Sequence, residues 1–253
     1  MAKEPGLHRG RLVYCLQGQR TRRNMDPTPT DLFVRRLTQS HRVVVLGGLA
    51  VIAHGLSRST YDGDIWLEPM AGVEEWCSFL ENACADFGGL TLHRLPGWTP
   101  VSGRDLVEAL DETNMVRIEG LDCPLDVFRK RNEIEMDDFA AICERAVVRS
   151  DGTLLPHPLD LIQSKLETGR DKDLYDIQHL ESLVRADYKQ RLPIATLAEA
   201  TEMLERYSEW QVLIAALKNP SAEVRELAMT HLREFAAAGD PFSLAILEGR
   251  ELP

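Results

Sequence analysis

Two acidic residues stand two positions apart at the start of an apolar run, residues 65–67. Asp62 and Asp64 would point to the same face of an extended strand, because side chains alternate between the two faces along a strand. Two carboxylates side by side at the mouth of a buried strand repel each other and lose hydration, so each is costly without a cation. Magnesium takes oxygen ligands and binds through a few carboxylates together with substrate phosphates. The spacing therefore predicts a divalent-metal site at Asp62 and Asp64.

A third carboxylate is expected from a neighbouring strand. Asp126 lies between two apolar residues in a second apolar run, which makes it the best candidate. Asp122 is the second choice, since it lies nearer to the predicted turn. Asp126 would complete a set of ligands in which two metal ions lie between Asp62, Asp64 and Asp126. It is also placed to accept the proton of a hydroxyl group.

Two glycines, Gly47 and Gly48, follow a predicted buried strand and precede a predicted short helix. Their backbone amides can approach a phosphate closely, and the start of a helix favours negative charge. Gly-Gly turns are also common as purely structural features. These two glycines indicate a phosphate site only because the acidic pair follows on the next strand. Arg58 could face nucleotide phosphates or pair with an acidic residue, and Thr60 could donate a hydrogen bond near the carboxylates. His54 could bind phosphate or cap helix carbonyls.

Residues 158–180 carry a second group of charged side chains on predicted helices. Lys165, Arg170 and Lys172 would bring positive charge towards a triphosphate, and Arg170 could bind it through two parallel hydrogen bonds. Asp173 and Asp176 share one face of a helix, because they are three residues apart. Asp176 could orient Lys165 or bind the acceptor, whereas Asp173 is interpreted as structural. The alternative is a solvated pair of helices with mutual salt bridges.

The order of these motifs resembles that of the polymerase-beta-like nucleotidyltransferase superfamily, and especially its minimal bacterial branch, which includes abortive-infection toxin-type enzymes. The shared features are Gly-Gly, a short helix, His-Gly, an Arg and a Thr, Asp-x-Asp, a third Asp and a Lys/Arg helix pair, within residues 42–184. The resemblance implies an α+β fold, with a nucleotidyltransferase-like mixed sheet flanked by helices and followed by a C-terminal helical domain. It also implies transfer of a nucleoside monophosphate from a nucleoside triphosphate to an acceptor hydroxyl, with Mg²⁺ or Mn²⁺ and release of pyrophosphate.

Three positions depart from the superfamily's pattern. Leu49 and Ala50 stand where a serine hydroxyl is usual, and Gly63 stands where an apolar residue is commoner. Gly63 would loosen the strand between the two predicted ligands. The acceptor stays open: an RNA end, such as that of a transfer RNA, or a protein, for a toxin-like enzyme with an antitoxin partner, or a small molecule such as an antibiotic. A nucleotide-binding regulatory protein with a weakened site is a further alternative.

The composition is that of an ordinary globular protein, with 253 residues, 44% of them apolar and 27% charged. No apolar run is long enough to span a membrane, and no secretory signal is visible at the start. The five cysteines are scattered and never spaced as CxxC, so we expect reduced thiols and a cytoplasmic protein. The net charge of −11 argues against long non-specific duplex binding.

The charge and hydrophobic patterns predict three segments: a basic, disordered extension in residues 1–25, a mixed α/β domain in residues 26–156, and a helical domain in residues 157–253. The resemblance implies that the α/β domain is the nucleotidyltransferase domain. Strands are predicted at residues 43–46, 65–67, 115–119 and 125–128, with a hairpin around residues 150–152. Helices are predicted at residues 31–39, 49–54, 74–87, 139–145, 159–167 and 174–184, and through most of 197–247. The Gly- and Pro-rich residues 90–112 are predicted to form strand pieces and loop.

Overall fold

The computed structural model of the chain describes residues 26–130, 138–166 and 170–250. The chain divides into two compact units, Met1–Glu167 and Thr168–Pro253. The division falls later than the predicted boundary at residue 156, so the helix Pro158–Leu166 belongs to the first unit. The predicted basic extension, residues 1–25, lies outside the described residues.

The described residues of the first unit form one eight-stranded mixed sheet. In chain order the strands are β1 (Val43–Leu46), β2 (Gly63–Leu67), β3 (Thr91–Arg94), β4 (Thr99–Pro100), β5 (Met115–Glu119), β6 (Leu125–Phe128), β7 (Val147–Val148) and β8 (Leu154–Leu155). They lie side by side in the order β4-β3-β5-β6-β2-β1-β8-β7. Strand β2 pairs antiparallel with β1 and parallel with β6. The two strands that contain Asp64 and Asp126 are therefore neighbours.

Helices cover both faces of this sheet. The helices are α1 (Pro29–Thr38), α2 (Gly47–Ala53), α3 (Val73–Phe87), α4 (Gly103–Thr113), α5 (Phe139–Arg145) and α6 (Pro158–Leu166). The larger core contains buried side chains of α1, α3 and α4 together with alternate strand residues, among them Ile65 and Val127. The smaller core contains Trp66 and side chains of α5. Because strand residues alternate between faces, Asp64 and Asp126 lie on the same face as Trp66.

Several predicted elements are confirmed with their predicted bounds. These are the strands Val43–Leu46, Met115–Glu119 and Leu125–Phe128 and the helix Phe139–Arg145. Strand β1 is a wholly buried apolar run and β5 and β6 are largely buried, so the local pattern indicates these strands. The predicted α+β class is confirmed as well.

The start of the first helix differs from the prediction. The predicted helix begins at residue 31, but α1 begins at Pro29 and Thr28 caps it: its side chain accepts a hydrogen bond from the N–H of Asp31, and the Asp31 carboxylate accepts one from the N–H of Thr28. This reciprocal pair satisfies two backbone donors at the helix start. Thr30 is buried and donates to Asp122 through both its N–H and its hydroxyl.

The prediction of strand pieces and loop for residues 90–112 is wrong for residues 103–112. Helix α4 begins at Gly103, and it buries Leu106, Ala109 and Leu110 against the larger core. These residues have the spacing of one helical face. The preceding glycines and prolines obscured that pattern, because they indicate turns.

The second unit is helical, as predicted. It contains α7 (Asp171–Arg191), a 3-10 turn at Leu192–Ile194, α8 (Leu197–Arg206), α9 (Trp210–Ala216), α10 (Ala222–Ala237) and α11 (Pro241–Leu247). Buried Asn219 lies between α9 and α10, and its side-chain amide donates to the carbonyls of Leu192 and Ala195. Within the described residues, no helix has both the length and the apolar character needed to cross a membrane.

Candidate active site

The structure brings the three predicted carboxylates together at one end of the paired strands β2 and β6. Asp64 and Asp126 are direct partners in the parallel register of these strands, and Asp62 immediately precedes β2. Burial, followed by the negative charges of Asp62 and Asp126, raises the pKa of Asp64 from 3.8 to about 6. The folded chain therefore concentrates negative charge at this position, as the spacing of the acidic residues predicts.

Lys165 lies near this cluster. Its side chain is 5% exposed on helix α6, and its positive charge lowers the pKa of Asp64, opposing the larger effect of burial. A lysine this deeply buried is uncommon unless it has a charged partner. The predicted proximity of Lys165 to the site therefore has a structural basis within the first unit.

Arg117 is a residue of the site that the sequence motifs missed. It is the partner of Asp126 in the antiparallel register of β5 and β6. Its Nε donates to Oδ1 of Asp126 at 2.6 Å, and its Nη2 donates to Oδ2 at 2.7 Å. The same Nη2 lies 3.5 Å from Oδ2 of Asp62. These carboxylates raise the pKa of Arg117, with the hydrogen bonds to Asp126 as the largest cause.

A local signal for Arg117 was present in the sequence. Arg117 is a charged residue with an apolar neighbour on each side, Val116 and Ile118. Asp126 has the same setting in its own strand. A charged side chain at such a position is costly without a partner of opposite charge. The pairing of strands was needed to identify that partner.

The two predicted glycines make room for side chains of the site. A Cβ atom on Gly47 would overlap Oδ2 of Asp64. A Cβ atom on Gly48 would lie 2.6 Å from Nη2 of Arg58 and 2.9 Å from Oγ1 of Thr60. Both glycines belong to helix α2, which begins at Gly47 rather than at Leu49 as predicted.

Thr60 donates a hydrogen bond to a predicted ligand. Its hydroxyl oxygen lies 3.1 Å from the carbonyl oxygen of Asp62 and 3.2 Å from Oδ1 of the same residue. Thr60 is buried, whereas the side chain of Asp62 is 43% exposed. The buried hydroxyl therefore fixes the orientation of a carboxylate that is open to solvent.

Gly63 is tightly packed, in contrast to the expectation that it loosens the strand. It is buried in β2 opposite Leu125, and its N–H donates to the carbonyl of Pro124 at 2.9 Å. A Cβ atom there would lie 2.9 Å from Cδ1 of Leu125 and 3.0 Å from Cδ1 of Leu49. Leu49, one of the departures from the family pattern, therefore occupies the space that a larger residue at position 63 would need.

Other predicted residues have structural partners. Asp122 accepts two hydrogen bonds from Thr30, so it stabilises the start of α1 and is not the third carboxylate of the cluster. His54 follows helix α2 as its C-cap residue, and its Nε2 lies 2.9 Å from the carbonyl oxygen of Pro156, which is not a carbonyl of that helix.

The remaining predicted residues belong to the second unit. Nε of Arg170 donates to Oδ2 of Asp173 at 2.8 Å, so Arg170 pairs with a neighbouring carboxylate at the start of α7. Asp173 is buried, in agreement with its structural interpretation, and Asp176 is buried on the same helix. The backbone of Lys172 lies in α7, but its side chain is outside the described part of the structure.

The donor set fits one divalent ion better than two. Within the described residues, no group of three His, Cys, Asp or Glu side chains is arranged to hold a metal ion. Arg117 provides a reason, because it binds both carboxylate oxygens of Asp126. Asp62 and Asp64 remain, and magnesium can bind through one or two carboxylates completed by water and substrate phosphates. Two of the three predicted ligands therefore fit the ion, while the third is paired with an arginine.

No protein-family model and no curated protein matched the chain when it was compared with them. The arguments for a function therefore come from the geometry of the site and from the motif order.

Proposed function

We propose that this protein is a metal-dependent nucleotidyltransferase, which moves a nucleoside monophosphate from a nucleoside triphosphate to an acceptor hydroxyl and releases pyrophosphate. The observation that carries the proposal is the convergence of Asp62, Asp64 and Asp126 at one end of the paired strands β2 and β6, where burial and the two neighbouring carboxylates raise the pKa of Asp64 to about 6. Buried carboxylates of like charge are found together mainly where a cation or a reaction requires them.

Asp62 and Asp64 are the proposed ligands of a Mg²⁺ or Mn²⁺ ion. A bound ion of this kind supplies neutralisation of the charge on the transferred phosphate and on the leaving pyrophosphate. Thr60 orients Asp62 through its hydroxyl. The residues of the chain thus present two carboxylates in a fixed arrangement before a substrate arrives, which reduces the entropic cost of assembling the site.

Positive side chains of the first unit are proposed to bind the triphosphate. Lys165 is buried close enough to Asp64 to affect its pKa, and the guanidinium of Arg58 lies over Gly48 at the start of α2. Both would stabilise negative charge that develops on phosphate oxygens during transfer. Asp126, oriented by Arg117, is the carboxylate proposed to accept the proton of the acceptor hydroxyl.

The proposed acceptor is an RNA end or a protein, as in the toxin-like branch. One structural feature supports an acceptor with a flat ring: Tyr61, next to Asp62, is 77% exposed. An exposed aromatic ring can stack on a nucleobase. The alternative acceptor is a small molecule, such as an antibiotic hydroxyl, for which the acidic net charge of −11 is the supporting observation.

A nucleotide-binding regulatory protein is the second candidate function. The observation that favours it is the pairing of Arg117 with both oxygens of Asp126, since each of these oxygens already accepts a hydrogen bond and is less available to an ion or to a hydroxyl proton. Such a protein would bind a nucleoside triphosphate tightly without releasing pyrophosphate.

The two candidates are distinguished by one experiment. The full chain is incubated with each nucleoside triphosphate labelled at the α-phosphate, with Mg²⁺ or Mn²⁺, and with total RNA, a protein extract or a panel of antibiotics. We expect label on one acceptor class and pyrophosphate in equal amount, and a loss of at least about 100-fold in Asp64→Asn, typical for removal of a group that stabilises transition-state charge. The matched control is Asp86→Asn, because Asp86 is an exposed carboxylate on the same unit.

The result decides between the candidates in a simple way. Nucleotide binding by the wild-type protein without pyrophosphate release would establish the regulatory candidate. Transfer that continues unchanged in Asp64→Asn would refute the proposed site, because Asp64 is the carboxylate at its centre.

A further inference from the structure

Arg117 occupies the space between two of the carboxylates that would otherwise share a cation. Its guanidinium bonds to both oxygens of Asp126 and lies 3.5 Å from Oδ2 of Asp62. We propose that Arg117 takes the place of a second divalent ion, so that the site holds a single ion, at Asp62 and Asp64. This inference rests on the proposed function, and it specifies how many ions that function uses.

The ion pair between Arg117 and Asp126 is positioned by the strand pairing of the sheet. The two residues are opposite each other on adjacent strands, so the backbone pairing of β5 and β6 sets their separation. The exposed fraction of the side chain is 17% for Arg117 and 9% for Asp126. A guanidinium matches a carboxylate through two parallel hydrogen bonds and keeps its charge at all accessible pH values. Asp126 is therefore paired with a positive charge that the chain itself supplies.

Trp98 holds the guanidinium from its other side. The central carbon of the Arg117 guanidinium lies 3.9 Å from the centre of the Trp98 ring, within the range of a cation–π contact. The carbonyl oxygen of Trp98 lies 2.8 Å from Nδ1 of His93, which ties this tryptophan to strand β3. The guanidinium is therefore held by the carboxylate of Asp126 and by the ring of Trp98. In this position it occupies the oxygens of Asp126 that a second ion would need as ligands.

This arrangement has a chemical consequence for ion binding. A second divalent ion at Asp126 would have to displace Arg117 or bind beside a fixed positive charge, and both are unfavourable. Asp62 and Asp64 are not bound by Arg117 through paired hydrogen bonds, and Asp62 remains open to solvent. Replacing Arg117 by a neutral residue should therefore free Asp126 and create a second ion site.

Counting bound ions tests this inference directly. The full chain is titrated with Mn²⁺ alone, and free Mn²⁺ is measured by electron paramagnetic resonance. We expect one Mn²⁺ per chain for the wild-type protein and two for Arg117→Gln, with the second lost again in the double variant Arg117→Gln/Asp126→Asn. The control is Arg94→Gln, since Arg94 is an arginine on the adjacent strand that pairs with Glu112 at the surface; it should bind one ion.

A second variant covers the case in which Arg117→Gln does not fold. Arg117→Lys keeps a positive charge at the same position, so we expect one ion and thermal unfolding close to that of the wild-type protein. A second measurement uses the fluorescence of Trp98, identified by subtracting the spectrum of Trp98→Phe. We expect this emission to stay constant while the first Mn²⁺ binds, because Arg117 remains stacked on the ring.

The outcomes separate this inference from the proposed function. Two ions bound to the wild-type protein, one ion in a folded Arg117→Gln variant, or two ions in Arg117→Lys would overturn the role of Arg117 and leave the proposed transfer intact. A wild-type protein that binds one ion but transfers no nucleotide would refute the proposed function and leave the ion count standing. Absence of Mn²⁺ binding in the wild-type protein and in every variant would overturn both.

Discussion

The carboxylate of Asp64 lies directly over the backbone of Gly47, in the space that a Cβ atom on this glycine would occupy. Gly47 adopts a φ of +54°, a left-handed conformation that favours glycine. The junction of β1 and α2 therefore places a residue without a side chain beneath the proposed metal ligand. The position of Asp64 therefore depends on Gly47, the residue that joins the neighbouring strand β1 to helix α2.

The substitution Gly47→Ala should displace Asp64. The added Cβ overlaps the carboxylate, so the backbone or the side chain must shift, with an expected cost of about 1–3 kcal/mol in the free energy of unfolding. Mn²⁺ affinity should fall as well. Urea unfolding and Mn²⁺ titration measure the two effects.

The control for this prediction is Gly55→Ala. Gly55 also has a positive φ, +100°, but nothing lies within 4 Å of a Cβ atom built on it. Its substitution therefore adds backbone strain without overlap and should leave Mn²⁺ affinity unchanged. If both variants bound Mn²⁺ like the wild-type protein, the contact between Gly47 and Asp64 would not position the ligand.

The raised pKa of Asp64 predicts a dependence of stability on pH. Its pKa in the folded state is about 6, above the ordinary 3.8, so the folded protein binds this proton more tightly than the unfolded chain. The free energy of unfolding therefore decreases as the pH rises from about 4 to about 6, and the destabilisation is complete above that range. A difference of this size corresponds to up to about 3 kcal/mol.

The variant Asp64→Asn carries no charge and should escape this destabilisation. Measured by urea unfolding in the presence of a chelator, it should be more stable than the wild-type protein at about pH 7.5 and equal to it at about pH 4. Added Mg²⁺ should reduce the difference at the higher pH, because only the wild-type carboxylate binds the ion. An equal difference at both pH values would contradict the role of Asp64 ionisation.

A larger apolar residue should not fit at position 63. In Gly63→Val the Cβ atom would lie 2.9 Å from Leu125 and 3.0 Å from Leu49, which fill the adjacent space. We expect the free energy of unfolding to decrease by about 1–3 kcal/mol, as for other overpacked cores. The double variant Gly63→Val/Leu49→Ala should recover part of this loss, since it vacates one of the two clashing side chains. Thermal or urea unfolding of Gly63→Val, Leu49→Ala and the double variant measures these free energies. If the losses of the two single variants simply add in the double variant, Leu49 does not limit the size of the residue at position 63.

Substitution of Asp122 should reduce stability but not transfer, whereas substitution of Asp126 should abolish transfer. Asp122→Ala leaves the buried N–H and hydroxyl of Thr30 without their acceptor, so the free energy of unfolding should decrease by about 1–3 kcal/mol. Nucleotidyl transfer should persist at temperatures where the variant is folded. Asp126→Ala should abolish transfer. The pair is compared by unfolding curves and transfer rates, and loss of transfer in folded Asp122→Ala would restore Asp122 as a candidate for the third carboxylate.

The strands next to the acidic residues were predictable because their burial is visible in short stretches of sequence. Strands β1, β5 and β6 are apolar runs of four or five residues, two of them interrupted by one central charge, and each has the predicted bounds. Helix α4 was not predictable in the same way. Its apolar spacing, Leu106 to Leu110, follows a segment rich in glycine and proline, where turn residues dominate the local pattern.

The role of Gly63 could be decided only from packing. The residue type is compatible with a loose strand, which was the expectation from its lack of a side chain. The structure instead surrounds it with Leu49 and Leu125, which lie 14 and 62 positions away in the chain. Contacts over such distances in sequence depend on how the elements assemble, and no local pattern encodes them.

The sequence by itself indicated that Asp64 and Asp126 lie within short buried strands, with Asp62 directly before the first of them, because the apolar runs around these residues are a local property of the chain. Only the tertiary structure decided which charges these carboxylates meet. Arg117 faces Asp126 because β5 and β6 pair in one particular register, and a shift of one residue would have turned the arginine to the opposite face. The identity of a site's acidic residues is thus readable from spacing, whereas their neutralisation is set by strand register.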